Sequence, residues 1–206
     1  MSRRLSKRLL DVVVAACGLV LLSPLLLFAA LAIKRDSPGP VFFRQLRVGR
    51  HGATFRIHKL RTMVSDAPAL GLPLTVGADP RITRLGAWLR ARRIDELPQL
   101  IDVLTGDMSL VGPRPEVPHW VARYPADLRE RVLAVKPGIT DPSTLAFSDE
   151  ATLLAQAADP EREYVDVILP KKLALAADYA DRATLTSDLC VLWRTAALLL
   201  RRTAAT

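Results

Sequence analysis

The sequence predicts an α+β protein, mainly helical, in which an N-terminal membrane segment precedes a single polar unit. Three observations carry this. An uncharged apolar run covers residues 12–33, two alternating stretches flank a Gly49-Arg-His-Gly52 turn, and helix-period stretches recur from residue 82 towards the C-terminus. The division falls at residue 36, with the membrane segment over 1–36 and one unit over 37–206. No repeat, low-complexity tract or long linker divides the second part.

Arg3, Arg4, Lys7 and Arg8 precede the apolar run, and Lys34, Arg35, Arg44, Arg47 and Arg50 follow it. At ~1.5 Å per residue the run is long enough for a bilayer core of ~30 Å. It exceeds the ~7–15-residue core of a signal peptide and ends in Lys34-Arg35-Asp36 rather than a cleavage site, so it is expected to stay. Ser23-Pro24 near the middle predicts a bend. The proline has no amide proton for the Val20 carbonyl, and the Ser23 hydroxyl can occupy a freed carbonyl. Basic residues mark the cytoplasmic side, and here they flank both ends. A re-entrant helix-break-helix turning at Ser23 and Pro24 satisfies both flanks, with Asp11 at the interface; a straight span is the other arrangement.

After the turn chemistry of Asp36-Ser-Pro-Gly-Pro40, residues 41–48 and 54–60 read as a β-hairpin with a basic face. Residues 64–80 read as loop. Over 82–93, Leu85, Trp88 and Leu89 recur at helical spacing among Arg84, Arg90, Arg92 and Arg93, which predicts a short cationic helix. Asp95 and Glu96 then read as the first turn of a further helix with Pro98 early in it. A polar helix is predicted over 125–133, a turn-rich loop over 136–142, and helical patterns near Asp149, over 161–181 and over 188–202. The last places Leu189, Leu192, Trp193, Ala196, Leu199 and Leu200 on one stripe beside Arg194, Arg201 and Arg202. Such a stripe marks a core-facing helix, and it also suits a helix in the headgroup layer.

Lys and Arg number 29 against 21 Asp and Glu, a net charge of +8 on a chain that is half apolar. An oily chain with a positive field points to anionic partners near a membrane: headgroups, phosphates or nucleic acid. Aromatic residues make up only 5%, which disfavours stacking on single-stranded nucleic acid. Cys17 and Cys190 form no metal or disulfide pattern and read as reduced thiols facing a cytosol. His51, His58 and His119 are scattered and read as surface or hydrogen-bonded residues rather than metal ligands. The chain has no Walker A sequence, dinucleotide-binding glycine fingerprint, His-Glu-x-x-His or Gly-x-Ser-x-Gly, which argues against those enzyme classes.

The candidate site is the pair Asp95-Glu96. Taken as structure alone, an acidic pair at a helix start caps free amides and meets the positive end of the dipole, for roughly 0.5–2 kcal/mol. Its neighbours add a second reading. Arg90, Arg92 and Arg93 before it, with Arg114 between two prolines in Gly112-Pro-Arg-Pro115 after it, make a phosphate site. Beside a phosphate, one carboxylate can attack phosphorus while its neighbour holds a divalent metal; oxygen ligands favour Mg²⁺. Lys59 and Arg61, at the end of the second strand, are candidates to face the same phosphate.

Five motifs stand in order: the apolar segment with Ser23-Pro24, His58-Lys-Leu-Arg-Thr-Met63, the run from Arg90 to Asp95-Glu-Leu-Pro-Gln99, Gly106-Asp-Met-Ser-Leu-Val-Gly-Pro-Arg-Pro115, and Lys136-Pro-Gly-Ile-Thr140. Together they resemble the bacterial sugar transferase family, the monotopic polyprenyl-phosphate phosphoglycosyltransferases. The resemblance covers essentially the whole chain and is similar to the minimal catalytic form. It implies a re-entrant membrane helix and amphipathic interfacial helices around a cytosolic catalytic site, on the cytoplasmic face of the bacterial inner membrane. The implied reaction moves a sugar 1-phosphate from a UDP-sugar to undecaprenyl phosphate and releases UMP. Asp95 matches the family's nucleophile, which forms an aspartyl-phosphosugar; Glu96 would hold Mg²⁺. Arg114, Lys59 and Arg90 match basic positions of the site, and Arg61 and Thr140, in the matching motifs, join the substrate-binding set. Membrane lipids are implied partners, a homodimer is compatible, and nucleic acid is not expected.

Two departures stand out. Many members carry a small hydroxyl residue where this chain has Arg93, a change that bears on phosphate or acceptor binding if the side chain enters the site. After Thr140 many continue with glycine and Gln-Val, whereas this chain reads Asp141-Pro-Ser-Thr-Leu-Ala-Phe147, which bears on sugar choice. The competing readings are a non-catalytic basic scaffold at the membrane surface, in which Asp95 and Glu96 only cap a helix, and a nucleic-acid binder, which the low aromatic content disfavours.

Overall fold

The apolar run forms α1 (Arg3–Asp36) in the computed structural model, which describes residues 3–67, 70 and 74–204, and the side chains of 5–67, 70 and 74–201. Among the described residues it is the one helix long and apolar enough to cross a membrane. The helical turns run without interruption through Ser23 and Pro24, where the sequence places the bend. Ser23 Oγ donates to Val20 O at 2.8 Å, which occupies the carbonyl that Pro24 has no amide proton to reach. The side chains of Arg3, Arg4 and Arg202, counted above among the basic residues, lie outside the described residues, as do 68–69 and 71–73 of the loop.

Both halves of α1 rest on the rest of the chain. In the first half, Lys7 Nζ donates to Asp188 at 2.7 Å and to Val111 O at 3.2 Å, and Arg8 donates to Val103 O and Leu104 O at 2.6 and 3.0 Å. Asp11, expected at the interface, is instead buried and accepts from Ser109 Oγ at 2.8 Å and Leu110 N at 3.2 Å. In the second half Ala29 and Ile33 pack with Leu60, Leu89 and Ile94. The opposite face is apolar and exposed, with Val20, Leu21, Leu27 and Phe28 outward.

β1 (Phe42–Val48) and β2 (Thr54–Leu60) pair antiparallel, Phe42 opposite Leu60 and Val48 opposite Thr54, one residue from the expected start. Local alternation is enough to specify such a hairpin. Next come α2 (Arg84–Ala91), a 3₁₀ turn (Ile94–Glu96) and α3 (Gln99–Thr105). Thr83 caps α2 by accepting from Gly86 N. Asp95 and Glu96 therefore sit in a separate turn and not in the first turn of a helix, with Pro98 at the N-cap of α3. The turn is separate because Arg93 adopts φ 55°, ψ 20° and ends α2.

The loop expected over 136–142 holds a strand. β3 (Ser109–Val111) and β4 (Gly138–Thr140) pair parallel, joined through α4 (Pro118–Val121) and α5 (Ala126–Leu133). A Cβ on Gly138 would lie 2.1 Å from Gly112 N, so the two backbones meet where only glycine fits. The helical remainder is α6 (Pro142–Ala146), α7 (Glu150–Ala155), α8 (Pro160–Glu163), a π turn (Tyr164–Ile168), α9 (Leu169–Arg182) and α10 (Leu185–Ala204). The π turn falls where Pro170 has no amide proton for the carbonyl four residues back.

Three apolar clusters hold these elements together. Trp120, Tyr164, Leu154 and Leu173 centre one between α4, α7 and α9. Ala15, Leu100, Val103, Met108 and Val191 centre another, where α1 meets α3, β3 and α10. The third joins the second half of α1 to β2 and α2. The catalytic-candidate turn at Asp95 lies between the last two, because Ile94 belongs to one and Leu100 to the other.

Candidate active site

The 3₁₀ turn brings Asp95 and Glu96 to a place where four cations converge. Both side chains are buried. Glu96 accepts from Arg114 at 2.5 and 3.3 Å, from Lys59 at 2.9 Å and from Arg93 at 3.4 Å. Burial alone would raise its pKa, but Arg114, Lys59 and Arg93 together hold the carboxyl well below the usual carboxylate range. Glu96 in turn raises Arg114, while burial lowers Lys59 against the pull of Glu96.

Asp95 is the contrast. Among the described residues it is the one buried carboxylate that accepts no hydrogen bond, whereas Asp11, Glu96, Asp102, Asp141 and Asp188 all do. Burial pushes its pKa up; Lys59, Arg90 and Arg93 pull it down and Glu96 pushes it up further. Its lone pairs are therefore not spent on neighbours, which is the state a nucleophile requires. Adjacent residues on one short turn have been driven in opposite directions by their surroundings.

The supporting elements fix these groups. β2 delivers Lys59, and His58 on the same strand ties it to α3: Asp102 accepts from His58 N at 2.9 Å and lies 2.6 Å from His58 Nδ1. Arg114 is held from both sides, because Gly138 N donates to Pro113 O and Val48 N donates to Glu116 O. Gln99, one turn beyond Asp95, is fully buried with neither its amide nitrogen nor its oxygen hydrogen-bonded.

The other expected site residues divide. Arg90 lies close enough to lower the Asp95 pKa, and donates to Thr75 at 3.1 Å. Thr140 Oγ1 meets Thr195 Oγ1 at 2.8 Å in a cavity that also exposes Glu96. Arg61 is turned elsewhere: its guanidinium donates to Pro38 O, to Ser37 O at 2.8 Å and to Ser65 Oγ at 3.0 Å, clasping the exit of α1. Alternation would put Lys59 and Arg61 on one face, but Arg61 lies past the strand end, where the chain turns. Arg93, one of the arginines expected at the phosphate site and a departure from the family pattern, is a direct partner of Glu96.

Mg²⁺ can be tested against these donors. Among the described residues no group of three His, Cys, Asp or Glu gathers to cage an ion. The oxygen donors at the turn are the carboxylates of Asp95 and Glu96, and Mg²⁺ commonly takes one or two carboxylates and completes its shell with substrate phosphates and water. The donor set fits that mode, and Glu96 would then be shared between the ion and its three cations.

A buried, unpaired carboxylate beside a cation-bound one, ringed by guanidinium and ammonium groups, suits an enzyme that handles phosphate esters. A profile of the bacterial sugar transferase family matches residues 2–202. The chain belongs to that family, and it is an enzyme of the phosphoglycosyltransferase class. It is 42% identical over 207 residues to the UDP-glucose:undecaprenyl-phosphate glucose-1-phosphate transferase of Caulobacter vibrioides, covering 95% of this chain and 70% of that one. Its identity to the protein of the same name in Escherichia coli is 45% over 139 residues, 66% of this chain and 30% of that one. With the undecaprenyl-phosphate galactose phosphotransferase of Salmonella typhimurium it shares 34% over 219 residues, 99% of this chain and 42% of that one. The chain thus spans less than half the length of the last two.

Proposed function

We propose that this protein transfers a sugar 1-phosphate from a UDP-sugar to undecaprenyl phosphate, in two steps through Asp95, as the first membrane step of surface glycan assembly. The observation that carries this reading is the Asp95 carboxylate, buried without a hydrogen bond beside Lys59, Arg90 and Arg93. In the first step a carboxylate oxygen attacks the β-phosphorus of the UDP-sugar. The bond from that phosphorus to the oxygen bridging the two phosphates breaks, and UMP leaves with the electron pair. In the second step a phosphate oxygen of undecaprenyl phosphate attacks the same phosphorus, and the carboxylate of Asp95 departs. Arg114, Lys59 and Arg93 offset the charge that gathers on phosphate oxygens in both steps. Mg²⁺ held by Glu96 would add to that neutralisation when bound.

The packing of α1 supports a re-entrant arrangement on the cytoplasmic face. Lys7, Arg8 and Asp11 near one end and Ile33 near the other are seated on the same polar body. A helix crossing a ~30 Å apolar layer would carry its two ends to opposite water phases. A soluble nucleotide sugar and a lipid acceptor can meet only at such a boundary.

The test is UMP release from a panel of UDP-sugars, with and without undecaprenyl phosphate. Turnover with one or a few donors, dependent on acceptor and lost in EDTA, is the expected outcome. Full rate in chelator would remove the metal, and no release with any donor would remove the reaction. Labels at both chain ends should react only from the cytoplasmic side.

A further inference from the structure

Beside the turn lies a cavity of about 190 Å³ between α3 and α10. Its walls are Leu100 on α3, Leu110 on β3, Ile139 on β4, Leu145 on α6, and Leu192 and Leu198 on α10. The hydroxyls that reach it are already engaged. Thr140 and Thr195 bond each other, Thr195 also donates to Val191 O, and Thr144 donates to Asp141 at 2.6 Å. Charge appears only at Arg93 and Glu96. Glu96 is matched by Lys59 and Arg114 at 2.9 and 2.5 Å, while Arg93 reaches it only at 3.4 Å, beyond good hydrogen-bond length. Of the three cations on Glu96, Arg93 is thus the one most free to take another anion, and its positive φ is a strained conformation of the kind kept at functional positions.

We infer that this cavity seats the phosphate-proximal isoprene units of the acceptor lipid, with Arg93 at its charged end positioning the lipid phosphate. The inference rests on the two-step reading above. Its basis is complementarity: an apolar chain ending in a phosphate monoester matches apolar walls ending in a guanidinium. A sugar nucleotide, polar along its length, would leave hydrogen-bonding groups unpaired against those walls. The location agrees. Leu100 packs against Gly18 of α1, and α10 turns Leu189, Trp193 and Leu200 outward, so apolar surfaces flank the cavity on both sides.

Because the reaction has two steps, the first serves as the control for the second. The full chain in detergent is mixed with UDP-sugar, and the UMP burst and the mass of the protein adduct are read. Undecaprenyl phosphate is then added and discharge of the adduct is followed. Leu198→Trp on α10 and Leu145→Trp on α6 each fill the cavity. The expected result is a burst within about twofold of the parent protein and discharge slowed at least about tenfold, because filled space excludes the chain. Arg93→Gln should raise the half-saturating acceptor concentration about tenfold, the loss expected for one charge-assisted hydrogen bond, and by more than it raises the half-saturating UDP-sugar concentration. Discharge at the parental rate in both tryptophan variants overturns the cavity assignment alone. A lost burst with unchanged thermal unfolding assigns the cavity to the donor and also overturns it. Slowing seen in phospholipid bilayers but not in detergent would make bulk lipid the occupant and overturn it likewise. No burst in the parent protein overturns the two-step reading and the inference with it.

Discussion

Glu96 and Glu116 are the centres of two largely buried ionic clusters joined by one short segment, Glu96 buried and Glu116 half-buried, since Arg114 turns to Glu96 while Glu116, two residues on, turns the other way. Glu116 accepts from Arg47 at 3.4 Å, Lys172 at 3.4 Å and Tyr164 at 3.1 Å, and Lys172 also bonds Glu150 at 2.8 Å. There the two cations Arg47 and Lys172 face the two carboxylates Glu116 and Glu150. Burial would raise Glu116, but Lys172, Arg47 and Arg114 hold it below the usual carboxylate range. At Glu96 the three cations Lys59, Arg93 and Arg114 crowd a single carboxylate, and the second acid, Asp95, is left without a hydrogen bond. The closed cluster has nothing to offer a substrate. The open one holds spare positive charge and a spare carboxylate, which is what separates a reactive site from a structural one built of the same residue types.

The comparison breaks most directly at Asp95. Asp95→Asn should lower turnover by at least on the order of 10³-fold, since an amide is a poor nucleophile, with little change in thermal unfolding. Activity within a few-fold of the parent would reduce Asp95 to a helix-turn residue.

Glu116→Ala should do the reverse. Leaving Arg47 and Lys172 without their shared partner costs about 3–5 kcal/mol of stability, read by denaturant unfolding, while the UMP burst per folded molecule is kept. Unchanged stability would show that the second cluster is ornamental.

pH sharpens the contrast, because the two kinds of carboxylate respond with opposite sign. Asp95 is raised, so the first step should fall with an apparent pKa above the ~3.9 of a free aspartate as pH is lowered. Its ionisation costs the fold stability near neutrality, and protonation relieves that cost. Glu96 and Glu116 are lowered; their contribution is fully present above the ~4.3 of a free glutamate and is lost as pH falls through their folded values. A burst rate flat down to pH 4 would contradict the assignment of Asp95.

Asp11 extends the series at smaller scale. It is buried, held by Ser109 Oγ and Leu110 N, with Lys7 only at 4.0 Å. Ser109→Ala should cost about 1–3 kcal/mol and loosen the first half of α1, seen as faster amide exchange there, with the burst unaffected.

How much of this was legible in the sequence depends on how local each cause is. The β1–β2 hairpin and α1 follow from alternation and from composition, which act within a few residues. Asp95, Glu96, Lys59 and Arg114 were legible because their motifs carry charge and proline in fixed order. The β3–β4 pair was not, since three-residue strands have no readable period and their pairing spans two helices. The position of Arg61 was not legible, because charge alone does not reveal that carbonyls of Ser37 and Pro38 would claim it. The Glu116 cluster was invisible for the same reason: Arg47, Glu116, Glu150 and Lys172 meet only through tertiary packing. Continuity of α1 past Pro24 depends on one hydroxyl filling one carbonyl, which was readable, and on both halves packing against the body, which was not.

The central claim, that Asp95 becomes esterified to phosphorus, is tested most directly by intact mass followed by peptide mapping after incubation with the UDP-sugar that releases UMP, acceptor withheld. The account predicts one added sugar phosphate, located on the peptide containing Asp95 and discharged by undecaprenyl phosphate. Turnover with acceptor, accompanied by no adduct or by an adduct on another residue, would contradict it.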